Sequence, residues 1–148
     1  MEFLDTSFLE NDEIKLILER TREAEPARKR VPAYCFLICD KEGNTVGNCS
    51  LKVGYTKELY YSGNIGYEVG EGFRGHHYAA KACTLLFQLA KKHGMEYLII
   101  TCDPDNLPSR RTCEYLGGKL LEIAEVPEDH ELRSEMGHTH ECIFRFDL

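Results

Sequence analysis

Hydrophobic and polar positions divide this chain into short segments with two different periods. Residues 33–39 and 45–53 are rich in strand formers and flank the turn-forming stretch 40–44, so they predict an antiparallel hairpin. Residues 64–69 predict a further short strand. The segment 78–93 instead carries apolar residues at three- to four-residue spacing, which predicts an amphipathic helix.

The second half of the chain continues this alternation of strands and helices. Residues 97–101 are continuously apolar, as is typical of a strand covered on both faces. A second helix is predicted to end at Gly117 and Gly118, and residues 119–126 and 141–146 predict two more strands. The first helix would be about 24 Å long at 1.5 Å per residue, which suits a right-handed crossover between parallel strands.

The amino-terminal segment predicts another helix. Residues 12–25 place Ile14, Ile17 and Leu18 at helical spacing behind an Asn-Asp pair that could cap them, and Pro26 follows. The basic run after this proline is interpreted as a solvated connector. The tyrosine-rich stretch that precedes the strand at residue 64 shows no clear period.

Length and composition predict one domain. The 148 residues are 43% hydrophobic and 29% charged, which is ordinary for a globular protein. We expect residues 1–148 to form a single domain, with an N-terminal helix and connector over 1–32 and a core over 33–147. No apolar run suggests a membrane span and the first residues do not resemble a signal peptide, so the prediction is a cytoplasmic protein without a membrane partner.

The formal net charge of −7 bears on the partners of the protein. Nucleic acid is an unfavourable partner for an acidic chain, because phosphate backbones need a basic surface. A cationic amine would be electrostatically favoured.

Cysteine usage indicates a reducing compartment. The seven cysteines are scattered and form no Cys-x-x-Cys pair. Cys35 and Cys39 would lie about 13 Å apart on one strand, which is beyond the reach of a disulfide. Most of the cysteines are therefore interpreted as small buried apolar residues.

One basic turn stands out against the acidic background. Arg74, His76 and His77 lie between the strand that ends near Val69 and the helix that begins near Tyr78. The first turn of a helix leaves about four N–H groups without intrahelical partners, and the macrodipole adds roughly half a positive charge there. Such a strand–turn–helix junction favours a phosphate ligand.

Two motifs carry a resemblance to a known family. The stretch from Arg74 to Ala79 reads Arg-Gly-His-His-Tyr-Ala, and the second helix begins with Asn106-x-x-Ser109 and closes on a glycine pair. In this order and spacing, residues 33–147 resemble the GCN5-related N-acetyltransferase (GNAT) superfamily, and within it a group of predicted bacterial acetyltransferases.

The resemblance implies a fold and a reaction. The fold would be α/β, with a mixed, mostly antiparallel central sheet flanked by helices and a parallel strand pair splayed at the cofactor site. The reaction would move an acetyl group from acetyl-CoA, as co-substrate, to a primary amine of a small molecule or peptide by direct attack. The resemblance implies no metal, and it leaves room for a homodimer.

The same resemblance assigns the cofactor to particular residues. The amides that open the helix would hold the pyrophosphate, the strand before the turn would pair with the pantetheine arm, and the Val69 N–H would face the thioester oxygen. Asn106 would contact the arm, although as a residue it is also a plausible helix cap. The residues implied are Tyr67, Glu68, Val69, Arg74, Gly75, His76, His77, Tyr78, Ala79, Ala80, Asn106, Ser109 and Arg110.

Two departures from the family pattern concern the transfer step. His77 replaces the central glycine of the loop, where a positive φ is free of strain, although histidine tolerates that region better than most residues. Cys113 stands where the family often has a tyrosine that protonates the leaving thiolate. Cys113 is therefore the candidate acid or a buried packing residue, and Glu68 is the candidate base, with ordered water as the alternative.

These departures motivate two rival functions. One is a non-catalytic module that binds CoA or acyl-CoA, and the other is an α/β domain for a different phosphate ligand. His130, His138 and His140 match no usual set of metal ligands, so we interpret them as loop histidines.

Overall fold

The first four strands form one antiparallel sheet. A computed structural model describes all residues 1–148. The strands are β1 (Ile14–Arg22), β2 (Ala33–Asp40), β3 (Thr45–Lys52) and β4 (Ile65–Val69), and they follow one another in the order β1-β2-β3-β4. Every adjacent pair in this sheet is antiparallel, so the predicted hairpin at 33–53 is confirmed.

The helix predicted at residues 12–25 is wrong, because this segment is strand β1. Ile14 and Leu16 are buried at 0% and 2% exposure, which is alternation with a period of two. Leu18 is 41% exposed, although helical spacing would have buried it. The side-chain oxygen of Asn11 accepts the N–H groups of Glu13 and Ile14 and so closes a turn before the strand. Pairing with β2 decides the conformation, and it cannot be read from local spacing.

The last three strands form a second antiparallel sheet. They are β5 (Tyr97–Cys102), β6 (Lys119–Glu125) and β7 (His140–Asp147), in the order β5-β7-β6. Their positions confirm the three strands predicted in this half of the chain. The two sheets together contain only antiparallel ladders.

The sheets meet at the start of β4. The Asn64 N–H donates to the Ile99 carbonyl at 2.7 Å, and the Asn64 side-chain oxygen accepts the Ile99 N–H at 2.9 Å. Farther along β4, the Tyr67 hydroxyl contacts Ser109 in the helix that follows β5. The start of β4 therefore lies beside the middle of β5 and its later residues lie toward the end of β5, so the two strands run in the same direction. They share no ladder after Asn64, so they are splayed neighbours.

Four helices complete the fold. Helix α2 (Tyr78–Lys92) connects β4 to β5 as predicted, and α3 (Leu107–Tyr115) connects β5 to β6. The short helices α1 (Lys57–Ser62) and α4 (Glu131–Ser134) lie in segments that showed no clear period. No helix of the chain combines the length and the apolar character needed to cross a bilayer.

The main core lies between the first sheet and the long helix. A cluster of 24 buried residues includes Phe36 from β2, Leu86 and Leu89 from α2, and Cys113 from α3. Both helices therefore contribute side chains to the same core. The α/β fold class with flanking helices is confirmed.

Candidate active site

The turn between β4 and α2 adopts the backbone needed to bring a helix amino end to the sheet edge. Gly75 has φ +92°, and His77, the residue before the helix, has φ 59° and ψ 28°. Histidine thus occupies the left-handed conformation at the position where the family pattern has glycine. Its ring stacks on Tyr115 of α3, with 4.9 Å between the ring centroids, which helps to hold a backbone that favours glycine.

The amides of this turn have no partners within the protein. The N–H groups of residues 75–80 donate to no backbone or side-chain acceptor, and the first bond is Lys81 N–H to the His77 carbonyl at 3.0 Å. Residues 74–77 are exposed to solvent. Six unpaired backbone donors thus lie at or just before the positive end of a 15-residue helix, an arrangement that favours an anion.

Lys81 fixes the turn from within the helix. Its Nζ donates to the His76 carbonyl at 2.7 Å and also pairs with the carboxylate of Glu13, just before β1. Arg74 makes no hydrogen bond or ion pair within the protein, and its side chain is exposed. The guanidinium is therefore available to a ligand at the turn.

The splay of β4 and β5 exposes a backbone edge next to this turn. The Gly70 N–H donates to the Val46 carbonyl of β3 at 2.8 Å. Because N–H groups alternate between the two sides of an antiparallel strand, the Tyr67 and Val69 amides point away from β3, toward the gap. An extended chain placed in the gap would find an unpaired strand edge.

Helix α3 lies on the other side of the gap and presents hydroxyl and amide groups to it. The Tyr67 hydroxyl and Ser109 Oγ are 2.6 Å apart, a hydrogen bond that joins β4 to α3. The Asn106 side chain accepts the Ser109 N–H at 3.2 Å and therefore caps the helix. Arg110 donates to the Pro104 carbonyl at 3.3 Å, which holds its side chain close to the start of the helix.

The Cys113 thiol is enclosed by the core. Its residue is 0% exposed, and burial raises the pKa of the Cys113 thiol to about 12. Burial likewise raises the pKa of Tyr67 well above its ordinary value of 10.0. Both groups are protonated at neutral pH, but only Tyr67 is partly accessible.

Glu68 faces the opposite side of the sheet from Tyr67. It is exposed and lines a groove of about 380 Å³ across the outer face of the first sheet. Glu19 and Arg20 of β1 and Asn48 of β3 line the same groove. Sequence reasoning missed the two β1 residues because it placed them on a helix. Their position in the groove follows from the pairing of β1 with β2, which local spacing did not reveal.

A family profile for the acetyltransferase (GNAT) domain matches residues 2–119 of the chain. This match covers most of the sequence, including the turn and the whole of α3. The chain belongs to the GNAT acetyltransferase family.

Solved structures of other acetyltransferases share the fold of this GNAT protein. The microcin C7 self-immunity acetyltransferase MccE, solved with acetyl-CoA and AMP, has 22% identity and a TM-score of 0.62 over 78% of this chain and 61% of its own. RimL, a ribosomal L7/L12 α-N-protein acetyltransferase, has 17% identity and a TM-score of 0.60 with the same coverages. A GNAT-family acetyltransferase from Bacillus anthracis has 21% identity and a TM-score of 0.60 over 76% of this chain and 65% of its own.

The similarity of this chain to these solved structures is evidence for its fold. The chain spans about three fifths of the length of MccE and RimL. A search against curated proteins finds no match.

The GNAT domain brings the sequence-predicted residues together in two groups. The turn, the β4 edge and the start of α3 surround one gap, whereas Glu68 points into the groove on the other face. Asn106 is observed as a helix cap, and its contact with a cofactor stays a prediction. The role of Cys113 as an acid also stays a prediction.

Proposed function

We propose that this protein transfers the acetyl group of acetyl-CoA to a primary amine of a small molecule or peptide. The observation that carries the proposal is the row of unpaired amides over residues 75–80 at the start of α2. They lie beside a splayed strand edge, and a pyrophosphate followed by an amide-bearing arm matches both features. The MccE structure, which holds acetyl-CoA in the same fold, supports this assignment.

In the proposed complex the protein binds acetyl-CoA mainly through its backbone. The turn from Gly75 to Ala80 holds the pyrophosphate, and Arg74 and Arg110 supply charge to the phosphates. The pantetheine arm pairs with the edge of β4 at Tyr67 and Val69. Asn106 and Ser109 border the arm from the side of α3.

The amine attacks the thioester from the groove. Its nitrogen forms a bond to the carbonyl carbon, the C–S bond breaks, and the Val69 N–H stabilises the charge on the oxygen. Glu68 lines the groove and takes the first proton of the ammonium, directly or through water. The second proton leaves the nitrogen after the attack and replaces the one that the leaving thiolate receives. The edge of β4 thus binds the cofactor, while the Glu68 side chain on its outer face acts on the acceptor.

The leaving thiolate needs a proton, and Tyr67 supplies it better than Cys113. The Tyr67 hydroxyl is protonated and hydrogen-bonded to Ser109 at the gap. Cys113 is also protonated, but its residue has no exposed surface. We therefore assign the proton donor to the Tyr67–Ser109 pair and interpret Cys113 as a core residue.

The test combines binding and turnover. CoA titrated by calorimetry should bind, and 3′-phosphoadenosine 5′-phosphate, which lacks the arm and the pyrophosphate, should bind more weakly. Acetyl-CoA with a panel of polyamines, amino acids and peptides should release free thiol for at least one amine.

Each rival function has its own result in this test. Tight CoA binding without thiol release for any amine would favour the non-catalytic module, which the exposed His77 at the loop motivates. Equal affinity for ligands without the arm would favour a different phosphate ligand.

A further inference from the structure

Three potential ligand side chains from separate parts of the chain meet beyond the end of β5. Asp103 follows this strand directly, His138 lies in the segment before β7, and Glu141 lies within β7. One ligand atom from each lies within 4.8 Å of the other two. The sequence did not reveal this group because 35 residues separate the aspartate from the histidine.

Glu141 is the unusual member of this group. It is a carboxylate with 2% exposure, and its Oε1 contacts His138 Nδ1 at 2.6 Å. Thr101 is close by, but its hydroxyl donates its single proton to the Tyr61 carbonyl at 2.7 Å. Burial raises the pKa of Glu141, and the nearby Asp103 charge raises it further. A carboxylate this deeply buried beside a second acidic group is costly to ionise unless further positive charge approaches it.

Hydrogen bonds anchor the other two residues as well. The Asp103 Oδ1 accepts the Asp105 N–H at 2.8 Å, which fixes the orientation of the carboxylate. The His138 N–H donates to the Leu132 carbonyl of α4 at 2.8 Å. Little reordering is needed for the three groups to share one ligand.

We propose that Asp103, His138 and Glu141 bind one divalent transition-metal ion. One imidazole nitrogen and two carboxylate oxygens are a donor set that such ions accept, and the ion would neutralise the two adjacent carboxylates. It would also join the segment between β6 and β7 to the end of β5. This site is independent of the proposed acetyl transfer.

The neighbouring cysteines and histidines lie outside this donor set. Cys102 and Cys142 belong to the main core cluster, on the other face of the strands from Glu141. His130 contacts the Glu58 carbonyl at 2.9 Å and accepts the Leu132 N–H. His140 is exposed and contacts only the Thr139 hydroxyl. His140 therefore offers a matched control, two residues from His138.

The experiment is a Co²⁺ titration of the full chain after treatment with EDTA. We expect 1:1 binding by calorimetry, a visible Co²⁺ spectrum without thiolate charge-transfer absorption, and a higher melting temperature. His138→Ala and Glu141→Gln should weaken binding by at least about 10-fold, whereas His140→Ala should leave it unchanged.

Several outcomes would overturn the proposal. They are the absence of binding up to millimolar Co²⁺, equal affinity in His138→Ala and the parent, or a thiolate band that places the ion on cysteines. Circular dichroism of each variant shows whether it is folded, and Asp103→Asn provides a third ligand variant should one of the others fail to fold. None of these readouts depends on acetyl transfer.

Discussion

The phosphate turn (residues 70–80) and the acceptor groove (lined by Glu19, Asn48 and Glu68), named for their proposed ligands, are built in opposite ways. The turn is contiguous, spans residues 70–80 and offers backbone amides, whereas the groove draws single side chains from four strands. A backbone site depends on conformation, and a groove depends on which residues its strands carry. The cofactor site is therefore determined locally in the sequence, while the acceptor site depends on the register of the sheet.

This contrast makes different substitutions informative in the two regions. Conformational changes should damage the turn, and an isosteric change of the proposed base should damage catalysis in the groove. The following variants test this separation.

The largest effect is expected from Glu68→Gln in the groove. Loss of a general base should lower kcat/KM by about 100-fold, because such groups contribute roughly 10²–10⁴ to the rate. The affinity for CoA should not change, since the side chain lies on the other face of β4. Steady-state thiol release and calorimetry measure the two quantities.

Glu19→Gln is the matched control for this change. It removes a carboxylate from the same groove, and kcat should stay within about 3-fold of the parent. If Glu68→Gln retained full activity, amine deprotonation would belong to water or to another group.

The next largest effect is expected from Gly75→Val in the turn. A β-branched residue at φ +92° is strained by about 1–3 kcal/mol, so CoA should bind about 10- to 100-fold more weakly. Gly43→Val imposes similar strain at φ +88° in the β2–β3 turn, and neither glycine has an atom within 4 Å of the added Cβ position.

Both valine variants should melt at lower temperature, but only Gly75→Val should lose CoA. Equal loss of CoA in the two variants would mean that global stability, and not the turn, controls binding.

A smaller effect is expected where the two regions share β4. Tyr67→Phe removes the hydroxyl that contacts Ser109 and should lower kcat by about 10-fold. The effect is limited because this hydroxyl is one proton donor among several. Cys113→Ala should instead leave kcat nearly unchanged and cost about 1–2 kcal/mol of stability by opening a small cavity. The opposite pattern would restore Cys113 as the acid.

The smallest effect concerns the far end of α2. His93 Nε2 contacts the Tyr34 hydroxyl at 2.7 Å, and burial lowers the pKa of His93 below its ordinary value of 6.5. Because the unfolded chain binds the proton more readily, stability is complete above about pH 6.5 and falls as the pH drops further.

The melting temperature should therefore decrease between about pH 6.5 and 5, and by less in His93→Gln. His140→Gln, at an exposed position, should follow the parent. Identical pH profiles for the parent and His93→Gln would contradict the assignment, and CoA affinity should change little if the turn is independent of this helix end.

Local signals explain which parts of the fold the sequence predicted. The apolar spacing of α2, the continuous apolar run of β5 and the turn at Arg74 all lie within short windows, and each is confirmed as an element. Segment 12–25 failed because Ile14, Ile17 and Leu18 fit a helix and a strand about equally well. Only the partner strand β2 selects one of the two.

The candidate site shows the same contrast between locally determined residues and residues brought together by folding. The His77 backbone was anticipated because its conformation depends on its own residue type and its neighbours. The groove residues Glu19 and Arg20 and the cluster around Glu141 were not anticipated, because they meet only after the sheets form. The order of residues along the chain does not show which of these side chains are close together in the folded protein.

The link between Lys81 and Glu13 has a practical consequence. One ammonium group bonds both to a carbonyl of the phosphate turn and to a carboxylate just ahead of the first strand. A fusion partner that displaces the residues before β1 would therefore also disturb this turn, whereas a tag added after Leu148 would not act through the Lys81 link.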